Sequence, residues 1–236
     1  METKSINHNN IQDTVIFVQA RMESSRLPGK VLKDLSGKPL IIQLMQRLST
    51  LPVKHLVASI SNADTSLPLL ETLRDQGYQA FAGDPLNVYQ RFVDTLQGYY
   101  APCLIRVTAD NPLTDCEAIK NGIIKLIEED LDYLWMNNSP KGFGCDIFKT
   151  ETFLSFKNKE LSKLEKEHIV PIFRNRNYLK GEALHCSYPK GAENLNFSVD
   201  TYEEYLQMQK TFNKYYNKKY DLDLNQIVKD SLESQC

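Results

Sequence analysis

The sequence contains no apolar run approaching the ~20 residues that a membrane-spanning helix needs. Its first 13 residues are polar and rich in asparagine, and they lack the apolar stretch of a secretory signal peptide. We therefore expect a cytoplasmic protein with no membrane partner. Residues 1–13 are expected to form a flexible N-terminal tail.

Neither sign of charge is in excess. Lys and Arg number 28 and Asp and Glu number 30, for a formal net charge of −2. Such a balance provides no broad positive field for nucleic acid or for an anionic membrane surface, so no nucleic-acid partner is expected. Any anion that the protein binds must be held by a local group of side chains.

Histidines and closely spaced cysteines are also scarce. The 4 histidines are scattered, and the 5 cysteines show no Cys-x-x-Cys spacing, so the patterns typical of zinc sites are missing. The cysteines are interpreted as reduced packing residues. No histidine lies near Cys145 in sequence, so a nucleophilic role for this thiol is disfavoured.

The sequence does contain a regular alternation of short apolar runs and amphipathic helical segments. This rhythm predicts an α/β fold with a mostly parallel, Rossmann-like sheet and helices on both faces. A length of 236 residues suits one domain, assigned to residues 14–236. The rhythm breaks near Asn137, and residues 137–187 are interpreted as an insertion.

The segment Val15–Lys30 is the most informative stretch. It begins as a short buried strand and continues as a loop that carries the phosphate-binding groups Arg21, Arg26 and Lys30. Arginine binds phosphate oxygens in pairs, lysine adds a mobile positive charge, and glycine lets the backbone approach closely. In a parallel sheet this loop lies at the ligand-binding edge. The alternative is an ordinary solvated surface loop.

The order of residues in Gln19–Lys30, Gln-Ala-Arg-Met-Glu-Ser-Ser-Arg-Leu-Pro-Gly-Lys, favours the first interpretation. This segment resembles the signature of the sugar cytidylyltransferases, in particular the spore coat polysaccharide biosynthesis F-type branch of the acylneuraminate and ketodeoxyoctonate cytidylyltransferase superfamily. The resemblance implies a glycosyltransferase-A-like nucleotidyltransferase. Such an enzyme joins CTP to a sugar, of an acidic or nonulosonic type, and releases pyrophosphate and a CMP-sugar for surface polysaccharide biosynthesis.

The resemblance also implies the nucleotide-binding residues. Lys30 and Arg21 are expected to contact the triphosphate, and backbone groups near Ala20 and Thr108 are expected to hold the base. The full predicted set is Gln19, Ala20, Arg21, Ser24, Ser25, Arg26, Gly29, Lys30, Asp84, Thr108 and Ala109.

Two aspartates are candidates for Mg²⁺ ligands, because Mg²⁺ prefers carboxylate oxygens and keeps several waters. Asp110 follows a predicted strand in Arg-Val-Thr-Ala-Asp-Asn-Pro-Leu, and Asp200 follows the predicted strand Asn196–Val199 in Phe-Ser-Val-Asp-Thr. Each has a structural alternative, a turn residue for Asp110 and a helix cap for Asp200. Both segments resemble metal-binding motifs of the family, which implies that Lys30, Arg21, Asp110 and Asp200 form the catalytic set.

A central segment and the insertion supply further candidates. Gly83-Asp84-Pro85 is predicted to cap a helix that begins at Pro85 and carries Arg91. By resemblance, the acceptor site is assigned to Arg91, Asn138, Lys141, Gly142 and Asp146. The charged stretch Glu165–His168 is more simply a helix end than a catalytic site.

Two other functions stay open at this point. A glycosyltransferase of related fold would use an Asp-x-Asp metal motif, and the chain contains Asp130-Leu-Asp132 and Asp221-Leu-Asp223. A nucleotide-binding subunit without catalytic activity would retain only the nucleotide-binding pocket. The resemblance further implies a homodimer formed through residues 137–187.

Overall fold

A seven-stranded sheet forms the centre of the fold in the computed structural model of the chain, which describes residues 9–216 and 222–234. Within these ranges the strands, in chain order, are β1 (Thr14–Ala20), β2 (Asp34–Leu35), β3 (Lys38–Pro39), β4 (His55–Ser61), β5 (Gln79–Gly83), β6 (Cys103–Thr108), β7 (Tyr133–Asn137), β8 (Asp146–Lys149) and β9 (Gly181–His185). Strands β2 and β3 form a separate small hairpin.

Helices connect these strands. In chain order they are α1 (Asn9–Gln12), α2 (Leu40–Leu48), α3 (Leu67–Asp75), α4 (Val88–Gly98), α5 (Cys116–Glu128), α6 (Thr150–Leu154), α7 (Lys163–His168), α8 (Val170–Arg174), α9 (Tyr202–Tyr215) and α10 (Leu224–Glu233), with short 3-10 turns at Lys30–Leu32, Asp64–Ser66 and Ala192–Asn194. Asp115 accepts two backbone hydrogen bonds at the start of α5 and so caps this helix.

The strand order is β5-β4-β1-β6-β8-β7-β9. Only β8 runs antiparallel to its neighbours β6 and β7 in this sheet. The predicted α/β class, with a mostly parallel sheet and helices on both faces, is confirmed. Because the parallel strands end at the same edge, the loops after β1, β4, β5, β6 and β7 lie along that edge.

Alternate side chains of β1 point to opposite faces of the sheet and pack in two different cores. Ile16 and Val18 pack on one face with apolar residues of α2 and α5. Val15 and Phe17 pack on the other face with residues of α4, α6 and α8, and the Phe17 ring meets Phe92 edge-on with 5.2 Å between centroids. Burial of each such side chain contributes roughly 1.5–3 kcal/mol. Strand β1 is therefore fixed on both faces, and the loop that follows it has a rigid base.

A third core joins α9 and α10 to the chain around Phe143, Phe197 and Val199. The segment Asn196–Val199 was predicted as a strand, and this prediction is wrong. It forms only one isolated bridge, between Asn196 and Lys141. The reason is that its backbone bonds to two loops instead of a sheet neighbour: Phe197 N donates to Lys141 O at 2.7 Å and Val199 N to Asp110 O at 2.9 Å.

The predicted start of helix α4 is also wrong. The helix begins at Val88, and Asn87 is its cap. Asp84 instead accepts from the backbone N–H groups of Leu86 and Asn87, each at 2.8 Å. This side-chain turn satisfies the donors ahead of the helix, so Pro85 lies outside it.

Residues 137–187 contribute to the central sheet as well as to its surroundings. Strand β8 lies between β6 and β7, and β9 forms one edge of the sheet. At the other end of the chain, residues 1–8 of the predicted tail lie outside the described residues. Residues 9–12 form α1, and Ile11 packs against the first core. No helix of the described chain is both long and apolar enough to cross a membrane.

Candidate active site

The loop after β1 is closed by its own backbone. Met22 O accepts from Ser24 N at 3.0 Å and from Gly29 N at 3.1 Å. Gly29 has φ of +66°, in the left-handed region that glycine adopts at little cost. The closed loop places Lys30 at the start of a 3-10 turn facing back toward the sheet edge.

Glu23 holds the same loop to the neighbouring strand. Its carboxylate accepts from Ser61 Oγ at 3.1 Å and from the hydroxyl of Thr65. Burial opposes ionisation of Glu23, but these hydrogen bonds outweigh it and lower its pKa. The loop is therefore anchored at a charged residue that remains ionised.

Lys30 is the centre of the site. Its Nζ donates to Asp110 Oδ2 at 2.7 Å, to Asp200 Oδ1 at 2.8 Å and to the backbone oxygen of Val199 at 2.8 Å. An ammonium group has three N–H donors, and these three hydrogen bonds use all of them. The two predicted metal ligands, far apart in sequence, thus converge on one ammonium group.

Asp200 is not the cap of helix α9, because its neighbour Thr201 has that role. Thr201 caps α9, and Glu204 accepts from Asp200 N at 2.7 Å and from Thr201 N at 2.8 Å. The capping box is therefore Thr201 with Glu204, as is usual for a Thr-x-x-Glu pattern at a helix start. The Asp200 carboxylate is left to face the site instead of the helix.

Gly142 supports the segment that carries Asp200. It has φ of +96°, and a methyl group added there would come within 2.5 Å of the backbone carbon of Phe197. Only glycine fits this contact between two backbones. The close approach lets Lys141 bond to the chain ahead of Asp200.

We expect Gly142→Ala to lower the free energy of unfolding by about 3 kcal/mol, because it adds both left-handed backbone strain and a clash with main-chain atoms. Urea denaturation of the variant and the parent protein measures this loss. Gly98→Ala is the control, since Gly98 has open space around it and sits at the end of a helix. Equal stability of Gly142→Ala and the parent would contradict the packing seen here.

Three cations surround the two carboxylates. In addition to Lys30, Arg26 and Lys141 each approach Asp200 Oδ2 at 3.2 Å. Burial opposes ionisation of Asp200, whose side chain is 16% exposed, but the bonds from Lys30 and Lys141 outweigh it and lower its pKa from 3.8 to about 2. The group carries net positive charge, which suits an anionic ligand.

This low pKa predicts a pH-dependent contribution to stability. Between about pH 4 and pH 2 the unfolded chain protonates Asp200 while the folded chain does not, so stability falls as the pH falls. We expect the parent protein to lose about 1 kcal/mol more than Asp200→Asn between about pH 5 and pH 3. Urea titrations of both proteins at the two pH values test this. Parallel losses in the two proteins would contradict it.

Most of the predicted nucleotide-binding residues line one cavity, named here the loop cavity. Its lining is Gln19, Ala20, Arg21, Ser24, Ser25, Arg26, Lys30, Val31, Thr108, Ala109, Asp110 and Asp200. Gly29 lies beside it in the closed loop. Of the predicted set, Asp84 is exposed at the end of β5, two strands away from β1, and does not line this cavity.

A second cavity adjoins the first and shares Thr108 with it; it is named here the tryptophan cavity. It measures about 200 Å³ and is lined by Arg106, Thr108, Asn111, Trp135, Met136, Gly144, Cys145, Asp146 and Arg174. Arg174 is exposed and lies over the Trp135 ring, 5.1 Å from its centroid. No carboxylate partner of Arg174 occurs within the described ranges.

The predicted acceptor residues are not brought together. Asp146 lines the tryptophan cavity, and Lys141 reaches Asp200 at the border of the loop cavity. Asn138 donates to Cys186 O at 3.1 Å, and Gly142 packs on Phe197. Arg91 is only 1% exposed and donates to Asp84 O at 2.9 Å, while burial lowers its pKa to about 10.

The remaining sequence candidates lie away from the two carboxylates. His168 is exposed at the end of α7, which confirms a charged helix end there. Asp130 and Asp132 precede β7 and so lie at the opposite edge of the sheet, where Asp132 accepts from Lys180 N at 2.9 Å. Asp223 caps α10, and Asp221 lies outside the described residues. Asp130, Asp132 and Asp223 are therefore not positioned for a glycosyltransferase metal site.

Three charged or aromatic residues of the two cavities were missed as site candidates: Arg106, Trp135 and Arg174. Only Arg106 had a signal in the sequence, as the one charged residue in an otherwise apolar strand. Trp135 and Arg174 meet across separate elements, which no local pattern reveals.

Comparison with known proteins identifies related chains. A family model described as cytidylyltransferase matches residues 15–233. The spore coat polysaccharide biosynthesis protein SpsF of Bacillus subtilis is 28% identical over 86% of this chain and 88% of its own length. An uncharacterized protein of Methanocaldococcus jannaschii is 26% identical over 90% of this chain and 87% of its own.

Solved structures share the fold. A cytidylyltransferase from Leptospira borgpetersenii superposes with a TM-score of 0.85 over 95% of both chains at 19% identity. A CMP:2-keto-3-deoxy-manno-octonic acid synthetase complexed with CTP superposes with a TM-score of 0.65 over 85% of this chain and 98% of that one, at 15% identity.

Proposed function

Because the chain belongs to the cytidylyltransferase family, we propose that it activates an anionic sugar with CTP in the cytoplasm. The products are a CMP-sugar for surface polysaccharide biosynthesis and pyrophosphate. Cytidylyl transfer makes it a nucleotidyltransferase. The observation that carries the proposal is the convergence of Lys30, Asp110 and Asp200, from three distant parts of the chain, beside the arginine-bearing loop.

The donor set fits Mg²⁺. Two carboxylates close enough to share one ammonium group are available, and no group of three or more acidic, histidine or cysteine side chains that could hold a metal ion occurs within residues 9–216 and 222–234. Mg²⁺ is commonly bound through one or two carboxylates, with waters and substrate phosphates as its other ligands. Asp110 and Asp200 would hold it. The bound ion would neutralise charge on the reacting phosphate.

The protein side chains contribute positive charge and position. Arg21, Arg26 and Lys30 line the loop cavity, where guanidinium forks and an ammonium group bind phosphate oxygens. Phosphoryl transfer needs little covalent chemistry from the protein, and stabilisation of charge supplies most of the rate. These residues would hold the triphosphate with its α-phosphorus toward the acceptor and bind the pyrophosphate as it forms.

An anionic acceptor is supported by the tryptophan cavity. Its two other charged residues, Arg106 and Asp146, neutralise each other at 2.8 Å, so Arg174 contributes the net charge. The exposed guanidinium group of Arg174, which lies over Trp135, can pair with a carboxylate. The relative SpsF of Bacillus subtilis is named for spore coat polysaccharide biosynthesis, which agrees with a sugar acceptor.

Pyrophosphate release tests the function. Purified protein is incubated with CTP, millimolar Mg²⁺ and separate acceptors: two nonulosonic acids and the neutral sugars glucose and mannose. We expect pyrophosphate and a CMP-sugar with an acidic acceptor, none without acceptor, and weaker signal with UTP. No release with any acceptor counts against the proposal, and transfer from a sugar nucleotide without pyrophosphate favours a glycosyltransferase.

We further propose that the protein is a homodimer formed through residues 137–187. Two large apolar side chains in this segment are exposed, Leu164 at 58% and Tyr178 at 67%. Burying them against a second copy would remove apolar surface from water. Light scattering of the intact chain tests the assembly, and a monomer at micromolar concentration would contradict it.

A further inference from the structure

Arg106 stands between the two cavities. It lies in β6, where it is paired in register with Phe17 of β1 on one side and with Asp146 of β8 on the other. Its own side chain lines the tryptophan cavity, and its partner Gln19 lines the loop cavity. The guanidinium group therefore connects the wall of one cavity to the wall of the other.

Two directed bonds hold Arg106. Nε donates to Gln19 Oε1 at 2.8 Å, and NH1 donates to Asp146 Oδ2 at 2.8 Å. The side chains of Arg106 and Asp146 are 13% and 14% exposed. Charge-assisted bonds between such shielded groups are shorter and stronger than neutral ones, so the guanidinium fork is fixed in orientation.

The carboxylate of Asp146 accepts a hydrogen bond at each of its two oxygens. Its second oxygen, Oδ1, accepts from Tyr133 OH at 2.9 Å. Burial and the Asp146 charge raise the pKa of Tyr133, so the phenol stays protonated and remains a donor. Both carboxylate oxygens of Asp146 are therefore engaged, by Arg106 and by Tyr133. This differs from the contact with the acceptor that the sequence resemblance implies.

The bond from Arg106 fixes the orientation of the Gln19 carboxamide. A carboxamide has one oxygen acceptor and one NH₂ group with two donors. Because Arg106 binds the oxygen, the amide cannot flip without losing a charge-assisted bond. Its NH₂ group has no hydrogen-bond partner within the described part of the chain. Gln19 therefore offers donors only, in a fixed orientation, at the wall of the loop cavity.

We propose that Arg106 is a positioning residue that orients Gln19 to donate to an oxygen or ring-nitrogen acceptor of bound CTP. Asp146 holds the guanidinium group of Arg106 in place, and Tyr133 holds Asp146. The inference rests on the proposed function, since it takes CTP as the occupant of the loop cavity.

Gln19→Glu separates orientation from stability. Glutamate keeps an oxygen for Arg106 and strengthens that bond by charge, but it replaces the outward donors by an acceptor. We expect CTP with Mg²⁺ to bind about tenfold or more weakly by calorimetry, while the melting temperature stays equal or rises. Gln76→Glu is the control for added negative charge, because Gln76 is exposed after α3 at the other end of the sheet.

A double-mutant cycle tests the action of Arg106. Gln19→Met removes the donors without adding charge and is expected to weaken CTP binding about fivefold. Arg106→Met leaves the amide free to rotate and is expected to weaken it about threefold in the folded protein. If Arg106 works through Gln19, the two effects are not additive, and Gln19→Met costs little in the Arg106→Met background.

The outcomes are distinguishable. A parent protein that fails to bind CTP overturns the proposed function itself. A parent protein that binds CTP, together with Gln19→Glu of unchanged affinity, overturns only this inference. A purely structural Arg106 would lower the melting temperature of Arg106→Met and leave its CTP affinity unchanged. If Arg106→Met does not fold, Gln19→Glu and Gln19→Met still decide whether the donors matter.

Discussion

Asp110→Asn is expected to lower the rate of pyrophosphate release about a thousandfold, which corresponds to about 4 kcal/mol of lost transition-state stabilisation. Asparagine has almost the same shape and still offers an oxygen to Lys30, whose Nζ lies 2.7 Å from Asp110 Oδ2. What the substitution removes is the negative charge that would hold Mg²⁺. The fold is expected to survive, because Val199 bonds to the backbone oxygen of Asp110 and not to its side chain.

The control for Asp110→Asn is Asp64→Asn, at an exposed residue in a short 3-10 turn outside both cavities. It removes the same charge and should leave the rate unchanged. Melting temperatures of the variants establish that both are folded. A folded Asp110→Asn protein that releases pyrophosphate at more than about a tenth of the parent rate would remove Asp110 from the catalytic set.

Lys30→Met is expected to change two measurements in opposite directions. Turnover should fall about a hundredfold or more, because a charged donor to the triphosphate is lost. Binding of Mn²⁺ to the protein without nucleotide should tighten about tenfold, since a positive charge beside the two carboxylates is removed. In the parent protein all three donors of Lys30 are engaged by Asp110, Asp200 and Val199, so the ammonium group occupies the position of a cation.

This arrangement implies that Lys30 changes partners when the substrate enters. The triphosphate brings negative charge that competes for the ammonium group, and the carboxylates then become available to a divalent ion. We therefore expect the parent protein to bind Mn²⁺ weakly alone and more tightly with CTP, as followed by electron paramagnetic resonance of the free ion. Lys229→Met, on an exposed face of α10, is the control. Tight Mn²⁺ binding by the nucleotide-free parent protein would contradict the exchange.

The local patterns gave correct predictions where one short segment carries all the information. Alternating apolar runs and amphipathic segments predicted the parallel sheet with helices on both faces, and Thr201 with Glu204 forms the capping box typical of a Thr-x-x-Glu pattern. The loop after β1 was also predicted from consecutive residues. These features follow from periodicity and from hydrogen bonds between residues three or four positions apart.

The failures have a common origin. The segment Asn196–Val199 has the composition of a strand, but its hydrogen bonds go to the loops at Lys141 and Asp110. Asp84 has the type and position of a cap, but Asn87 takes that role because Asp84 already binds two N–H groups. In each case a competing partner decided the outcome, and that partner was not specified by the pattern itself.

By itself the sequence determined the family-like loop, the class of fold and the two aspartates that end chain segments at one edge. Only the tertiary structure decided what each polar group binds. The bonds from Lys30 to Asp110 and Asp200 span 80 and 170 positions, and the Arg106 bond to Gln19 spans 87. Contacts at such separations depend on how the sheet is ordered and how the loops pack on it, which local spacing does not encode. For that reason most residues that line the loop cavity could be named in advance, whereas Arg106, Trp135 and Arg174, and the bonds that fix Lys30, Asp146 and Gln19, could not.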